Sequence, residues 1–208
     1  MKNHIYLARH GQDQDNANGI LNGHRDEPLT EIGIAQAREV AGKIKEAELK
    51  FDVILSSPLQ RAFKTAQIIA ETLGAPIPIK EDLLIERDFG VMTGKSVSSI
   101  IEMCSPDVIE TEHINYFLSP EGAETFQDLI DRGEKLLDKI NKDYDGKNIL
   151  LVTHGDIGKM IYCAFYDVPW QEVLTAFHFG NSELLLMSNG SSADEAHVFK
   201  IKQYHKSK

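Results

Sequence analysis

Two short apolar runs, far apart in the chain, end in the same way, and this restricts the fold more than any other feature. Ile5-Tyr6-Leu7-Ala8 is followed by Arg9-His10-Gly11-Gln12, and Ile149-Leu150-Leu151-Val152-Thr153 by His154-Gly155. Apolar and β-branched runs of this length read as short buried strands. Two strands that each deliver a histidine to their C-terminal tip predict one site at the edge of one parallel sheet. Open α/β sheets hold their ligands at that edge.

The chain between these strands supplies the covering layers. Thr30 stands as an N-cap before Ile34, Ala37, Ala41, Ile44 and Ala47, whose three- and four-residue spacing predicts an amphipathic helix. Phe51 to Leu55 reads as a strand closed by Ser56-Ser57-Pro58, and Leu59 to Leu73 as the buried stripe of the next helix, stopped at Gly74. Ile77 to Ile79, flanked by prolines, predicts a short strand near an edge. A long helix is expected with Phe126, Leu129, Ile130, Gly133, Leu136, Leu137 and Ile140 on its buried face. A helix over Gly155 to Phe165, a strand over Glu183 to Met187 and a last one over Val198 to Ile201 complete the regular elements.

Three segments read as irregular. Asp13 to Pro28 is a loop longer than a connection requires, which suggests a binding task. Leu83 to Gly94 is a charged loop, and Ser96 to Tyr116 short helices interrupted at Pro106. The alternation predicts the α/β class: a three-layer α/β/α sandwich with a mostly parallel central sheet. One domain is expected over residues 1–208, with an irregular cap at about 83–122.

Charge narrows the partners. A formal charge of −10 argues against nucleic acid or an acidic membrane surface, so any positive charge for an anionic substrate must be local. The basic cluster His205-Lys206-Ser207-Lys208 reads as a solvated tail. Cys104 and Cys163 make neither a disulfide framework nor a metal spacing, and both read as buried thiols. No run reaches the ~18 apolar residues of a membrane span, and no signal-peptide pattern stands at Met1, so the cytoplasm is the expected compartment.

The strand tips gather groups suited to phosphoryl chemistry. Arg9 and His10 share one tip, His154 stands on another, and Arg61 lies just inside the helix after a third. Neutral imidazole is a nucleophile near neutral pH, and guanidinium binds phosphate oxygens bidentately. A second imidazole, if protonated, would add charge where negative charge develops. Glu86 is the best-placed candidate to protonate a leaving alkoxide. None of this requires a metal or a cofactor. Lys95-Ser96 after Gly94 is not a phosphate-binding P-loop, because the preceding glycine and strand are missing.

Leu7 to Gln12 resembles the signature of the histidine phosphatase superfamily, which has the phosphoglycerate-mutase-like fold. Gly23 to Gly33, Ser56 to Ala66, Glu86 with Phe89-Gly90 and Gly94, Glu121 to Thr125 and Thr153-His154-Gly155 resemble its further blocks, in order. The resemblance implies that His10 accepts the phosphoryl group and that Arg9, Arg61 and His154 surround it. It implies that Glu86 protonates the leaving oxygen and then helps activate water. Gln12, Asn16, Gly23 and Gly155 would add phosphate contacts, and Asn181-Ser182 resembles a position near the pocket. Asp13 departs from the family, which commonly has a small hydroxyl residue there. His24, Arg25 and His178 are open between contacts to the substrate's far end and solvated loop positions; His4, His113, His197 and His205 read as structural or exposed.

The superfamily contains phosphatases and mutases. Its cofactor-dependent mutases look longer between the acid loop and the final histidine, with extra basic residues that grip the substrate carboxylate. Here Val91 to Gly122 is short and holds one lysine and no arginine. The expected reaction is metal-independent hydrolysis of a small phosphomonoester, α-ribazole-5′-phosphate and sugar phosphates being examples. A phosphoglycerate mutase is the alternative, and a non-catalytic phosphate-binding regulator a third reading. A monomer or a homodimer through an edge strand fits the sequence.

Overall fold

The structure, a computed structural model, describes residues 3–188 and the strand 197–199. Its first half runs β1 (His4–Arg9), α1 (Gln14–Asn18), α2 (Glu31–Glu46), β2 (Val53–Ser56), α3 (Gln60–Leu73) and β3 (Ile79–Lys80). The cap then contributes α4 (Ile100–Cys104), β4 (Val108–Glu110) and β5 (Asn115–Phe117). The chain returns through α5 (Phe126–Asp143), β6 (Asn148–Thr153), α6 (Gly155–Tyr166), α7 (Trp170–Ala176), β7 (Leu184–Met187) and β8 (His197–Phe199).

The central sheet has the order β3-β2-β6-β1-β7-β8. Its first four strands are parallel, β7 runs antiparallel to them, and β8 pairs antiparallel with β7 and so shares their direction. Side-chain alternation sorts the apolar residues to two faces. Ala8, Ile54, Leu150 and Val152 point to the side where α2 and α3 pack. Ile5, Leu7, Leu55, Ile149 and Leu151 point to the side covered by α5 and α6. With both faces covered, β1 and β6 read as apolar runs rather than as alternating strands. The result is the expected three-layer sandwich.

Helix termini follow local chemistry. Thr30 Oγ1 accepts from Gly33 N at 3.0 Å to start α2, and Thr125 and Asp128 form a reciprocal capping box at α5. At the exposed β3 edge, Pro76 and Pro78 remove backbone donors that another strand would need.

Several stretches differ from expectation. The loop from Asp13 to Pro28 contains α1, because the Asp13 side chain accepts from Asn16 N at 2.8 Å and starts a helical turn. Beyond Pro106 the cap is a β4–β5 hairpin rather than a second short helix, with Ile109 opposite Tyr116 and Val108 opposite Phe117. Helix α7 was not expected. It ends on a cap from another element: buried Lys159 of α6 donates to the carbonyls of Val173, Leu174 and Phe177 at 3.3, 3.1 and 2.5 Å. Burial pushes that ammonium down to about 8. Cys163 is buried as expected, whereas Cys104 is half-buried. Val198 and Phe199 fall in β8, while Lys200, Ile201 and the basic cluster from His205 to Lys208 lie outside the described residues. No helix among the described residues is long and apolar enough to cross a membrane.

Candidate active site

Strands β2, β6 and β1 are neighbours, so their C-terminal tips place Ser57, His154 and His10 side by side. Arg9 is in register with Thr153, and His10 N donates to Thr153 O at 3.0 Å. The two imidazoles lie 5.0 Å apart, tilted by 59°.

The backbone fixes the tautomer of His10. Its Nδ1 lies 2.7 Å from Gly11 O, a pure acceptor, so Nδ1 holds the proton and Nε2 keeps its lone pair. Burial and the charges of Arg61 and Arg9 hold the imidazole well below its ordinary range, which keeps it neutral. Gly11 N donates to Thr65 Oγ1 at 3.1 Å, which ties the turn to α3. Gly11 also packs backbone to backbone on α2: a Cβ at Gly11 would stand 2.3 Å from Gly33 O. Only glycine fits there.

His154 is held in the opposite tautomer. A guanidinium only donates, so Arg61 Nε at 3.2 Å makes His154 Nδ1 an acceptor and leaves the proton on Nε2, 2.7 Å from Ser57 Oγ. Burial, then Arg61, His10 and Arg9, push this imidazole well below its usual range. The second histidine is therefore neutral in this arrangement, not the cation that the sequence argument allowed for. Arg61 is fully buried and also donates to Arg25 O at 2.6 Å and Gly23 O at 2.9 Å.

Arg9 and Glu86 meet the start of α6. Arg9 donates through NH1 to Phe179 O at 2.7 Å, its buried Nε has no hydrogen-bond partner, and its guanidinium flanks Gly155. Glu86 accepts from Gly155 N at 3.0 Å, Asp156 N at 3.4 Å, Ile157 N at 3.2 Å and its neighbour Arg87 N at 2.8 Å. A carboxylate at a helix N-terminus meets both unsatisfied N–H groups and the positive end of the dipole. Its own carbonyl is clamped by His24 Nε2 at 2.7 Å and Arg132 NH2 at 3.3 Å. Burial and the charge of Glu86 push the Asp156 carboxyl up to about 6.

The other expected contacts fall as follows. The Gln12 carboxamide oxygen accepts from Thr30 Oγ1 at 2.9 Å. Asn16 Oδ1 accepts from Asn181 Nδ2 at 3.2 Å, and the same amide donates to His10 O at 3.2 Å. Gly23 gives its carbonyl to Arg61, and Gly155 its N–H to Glu86. Arg25 pairs with Asp15 at 2.7 Å, and the His178 ring packs on His113 at 5.2 Å. Ser182 N donates to both Arg9 O and His10 O at 3.1 Å. Asp13 is buried, with Oδ2 2.8 Å from Asn22 Nδ2 and 3.5 Å from Arg61 Nε.

Sequence reasoning missed Ser57, Thr65 and Arg87. The first two are ordinary hydroxyl residues whose partners become visible only once the strand tips are adjacent. Arg87, next to Glu86 in the chain, is fully buried and donates to Glu124 O at 2.6 Å, Phe117 O at 2.8 Å and Leu118 O at 2.8 Å.

The sequence profile of the histidine phosphatase superfamily (branch 1) matches residues 5–194. The chain belongs to this superfamily. A 2,3-bisphosphoglycerate-dependent phosphoglycerate mutase of Methylobacterium sp. (strain 4-46) is 32% identical over 163 residues, 75% of this chain and 77% of the relative. The mutase of that name from Parvibaculum lavamentivorans is 33% identical over 178 residues, 84% and 85% of the two chains. Among solved structures, a phosphoserine phosphatase from Entamoeba histolytica in complex with 3-phosphoglyceric acid has a TM-score of 0.71 and 26% identity, covering 99% of this chain and 98% of its own. A mycobacterial glucosyl-3-phosphoglycerate phosphatase shares the fold at a TM-score of 0.74 and 22% identity, covering 98% and 99%. Within this histidine phosphatase superfamily the chain thus resembles both phosphatases and mutases.

Proposed function

We propose that this member of the superfamily is a metal-independent phosphomonoester phosphatase. His10 Nε2 attacks phosphorus, the N–P bond forms and the bond to the leaving oxygen breaks. Glu86 gives that oxygen a proton. The carboxylate left behind is the form that the N–H groups at the start of α6 favour. Water then attacks phosphorus and gives its proton to Glu86 as the N–P bond breaks. Arg9, Arg61 and the neutral Nε2–H of His154 supply donors around the phosphoryl group.

The observation that favours hydrolysis over isomerisation is the charge of the cap. Val91 to Gly122 contains no arginine, and its single lysine, Lys95, is exposed. The nearby cations are already committed: Arg87 and Lys159 to backbone carbonyls, Arg25 to Asp15. A mutase must hold a second anionic group of its substrate, and these residues offer it little. A mutase remains the second reading, supported by the names of the curated relatives.

The test is phosphate release from a panel of phosphomonoesters with EDTA present, for wild type and His10→Ala, beside interconversion of 2- and 3-phosphoglycerate with a bisphosphate primer. Release by the wild type alone is expected. Primer-dependent interconversion that outpaces release would overturn the phosphatase assignment in favour of the mutase.

A further inference from the structure

The residue that departs from the family pattern, Asp13, brings its carboxylate to the back of the nucleophile. Its Oδ2 is 3.7 Å from His10 Nδ1, on the ring edge opposite the attacking Nε2. Both carboxylate oxygens face donors: Oδ1 accepts from Asn16 N at 2.8 Å, and Oδ2 from Asn22 Nδ2 at 2.8 Å, with Arg61 Nε at 3.5 Å. Donors on every side favour the ionised carboxylate, although burial outweighs them and raises the carboxyl above its ordinary range. The charged groups around it are Arg61 from α3, Arg9 at the end of β1 and Asp15 on the helix it caps, with the neutral ring of His10 just beyond β1.

The arginines create an electrostatic conflict. They attract the phosphoryl group, but they also oppose positive charge on His10. Phosphorylation at Nε2, with the Nδ1 proton kept, turns the neutral ring into a cation. Something must offset that charge, and backbone carbonyls alone carry only partial charges. A full negative charge at the Nδ1 side does so without entering the phosphate pocket.

We propose that Asp13 is a positioning residue that stabilises the phosphorylated, cationic form of His10, so that it raises the rate of phosphoryl transfer while weakening the binding of phosphate itself. The inference rests on the phosphatase reading above. In the transfer step Asp13 neither gains nor loses a proton. It supplies a fixed charge beside the ring while the N–P bond forms and the P–O bond breaks. A hydroxyl residue at this position caps α1 equally well, so capping does not require the charge.

The two effects have opposite signs, which separates this role from a merely structural one. Asp13→Asn keeps the shape and the cap but removes the charge, and Asp13→Ser restores the commoner hydroxyl. For both, the single-turnover rate of phosphohistidine formation is expected to fall about tenfold or more, while the inhibition constant for inorganic phosphate falls about threefold or more, meaning tighter binding. Thermal melting identifies a variant that fails to fold, and the other variant then carries the test. An unchanged rate of phosphohistidine formation in a folded variant would overturn the proposal, as would weaker phosphate binding alongside a slower formation step. No turnover by the wild type would instead refute the phosphatase reading, so the two failures are distinguishable.

Discussion

Arg87 anchors the cap to the sandwich, and its replacement by methionine tests that anchorage. Three of its guanidinium nitrogens donate to the carbonyls of Glu124, Phe117 and Leu118, and it stacks over the rings of Phe117 and Phe126 at 4.8 and 4.4 Å. It thereby joins the β5 strand, the turn before α5 and, through Asp156 at 3.6 Å, the start of α6. Methionine keeps most of the stem packing but leaves three carbonyls without their charged donor. At about 1–1.5 kcal/mol for each, the loss is about 3–5 kcal/mol. Relief of the cost of burying the guanidinium, which also pushes its pKa down, returns part of this. The net expectation is a loss of about 2–4 kcal/mol, which for a chain of this size corresponds to a fall in Tm on the order of 10 °C. Urea unfolding with comparison of m-values measures it directly. A loss under about 1 kcal/mol would refute the idea that these carbonyls depend on Arg87.

Two further outcomes follow from the site. Glu86→Gln is expected to lower kcat on alkyl phosphates by about 100-fold or more and on p-nitrophenyl phosphate much less, because nitrophenolate leaves without a proton; equal losses on both would remove the general-acid role. The Asp156 carboxyl, raised from 3.8 to about 6, favours the folded state when protonated, and that contribution is lost as pH rises from about 4 to about 6. Asp156→Asn should therefore gain stability relative to wild type over that interval, on the order of 2 kcal/mol, and parallel pH–stability curves would contradict it.

The sequence was legible wherever a signal was local and repeated. Apolar runs ending in His10-Gly11 and His154-Gly155 located the strands and their shared edge, and the spacing of Ala37, Ala41 and Ile44 located α2. Legibility failed where one element's order depends on another. Helix α7 is short and is ended by a lysine from α6, so nothing within Trp170–Ala176 announces its stop. The hairpin depends on Val108 and Ile109 meeting Phe117 and Tyr116, a pairing invisible before the chain turns back. Ser57 and Thr65 acquire their roles from partners on β6 and β1. The tautomers of the two histidines were likewise beyond sequence, because they are dictated by Gly11 O on one ring and Arg61 Nε on the other. Asp13 was noticed only as a departure from a pattern; its contact with Arg61 explains how a carboxylate is tolerated there.

In the proposed reaction His10 carries the phosphoryl group. Rapid quench of the wild-type protein with a radiolabelled phosphomonoester, in EDTA, tests it most directly. Transient label is expected that is acid-labile and alkali-stable, maps to the peptide containing His10 and is absent in His10→Ala. Steady turnover without label on that peptide, or undiminished turnover by His10→Ala, would contradict it.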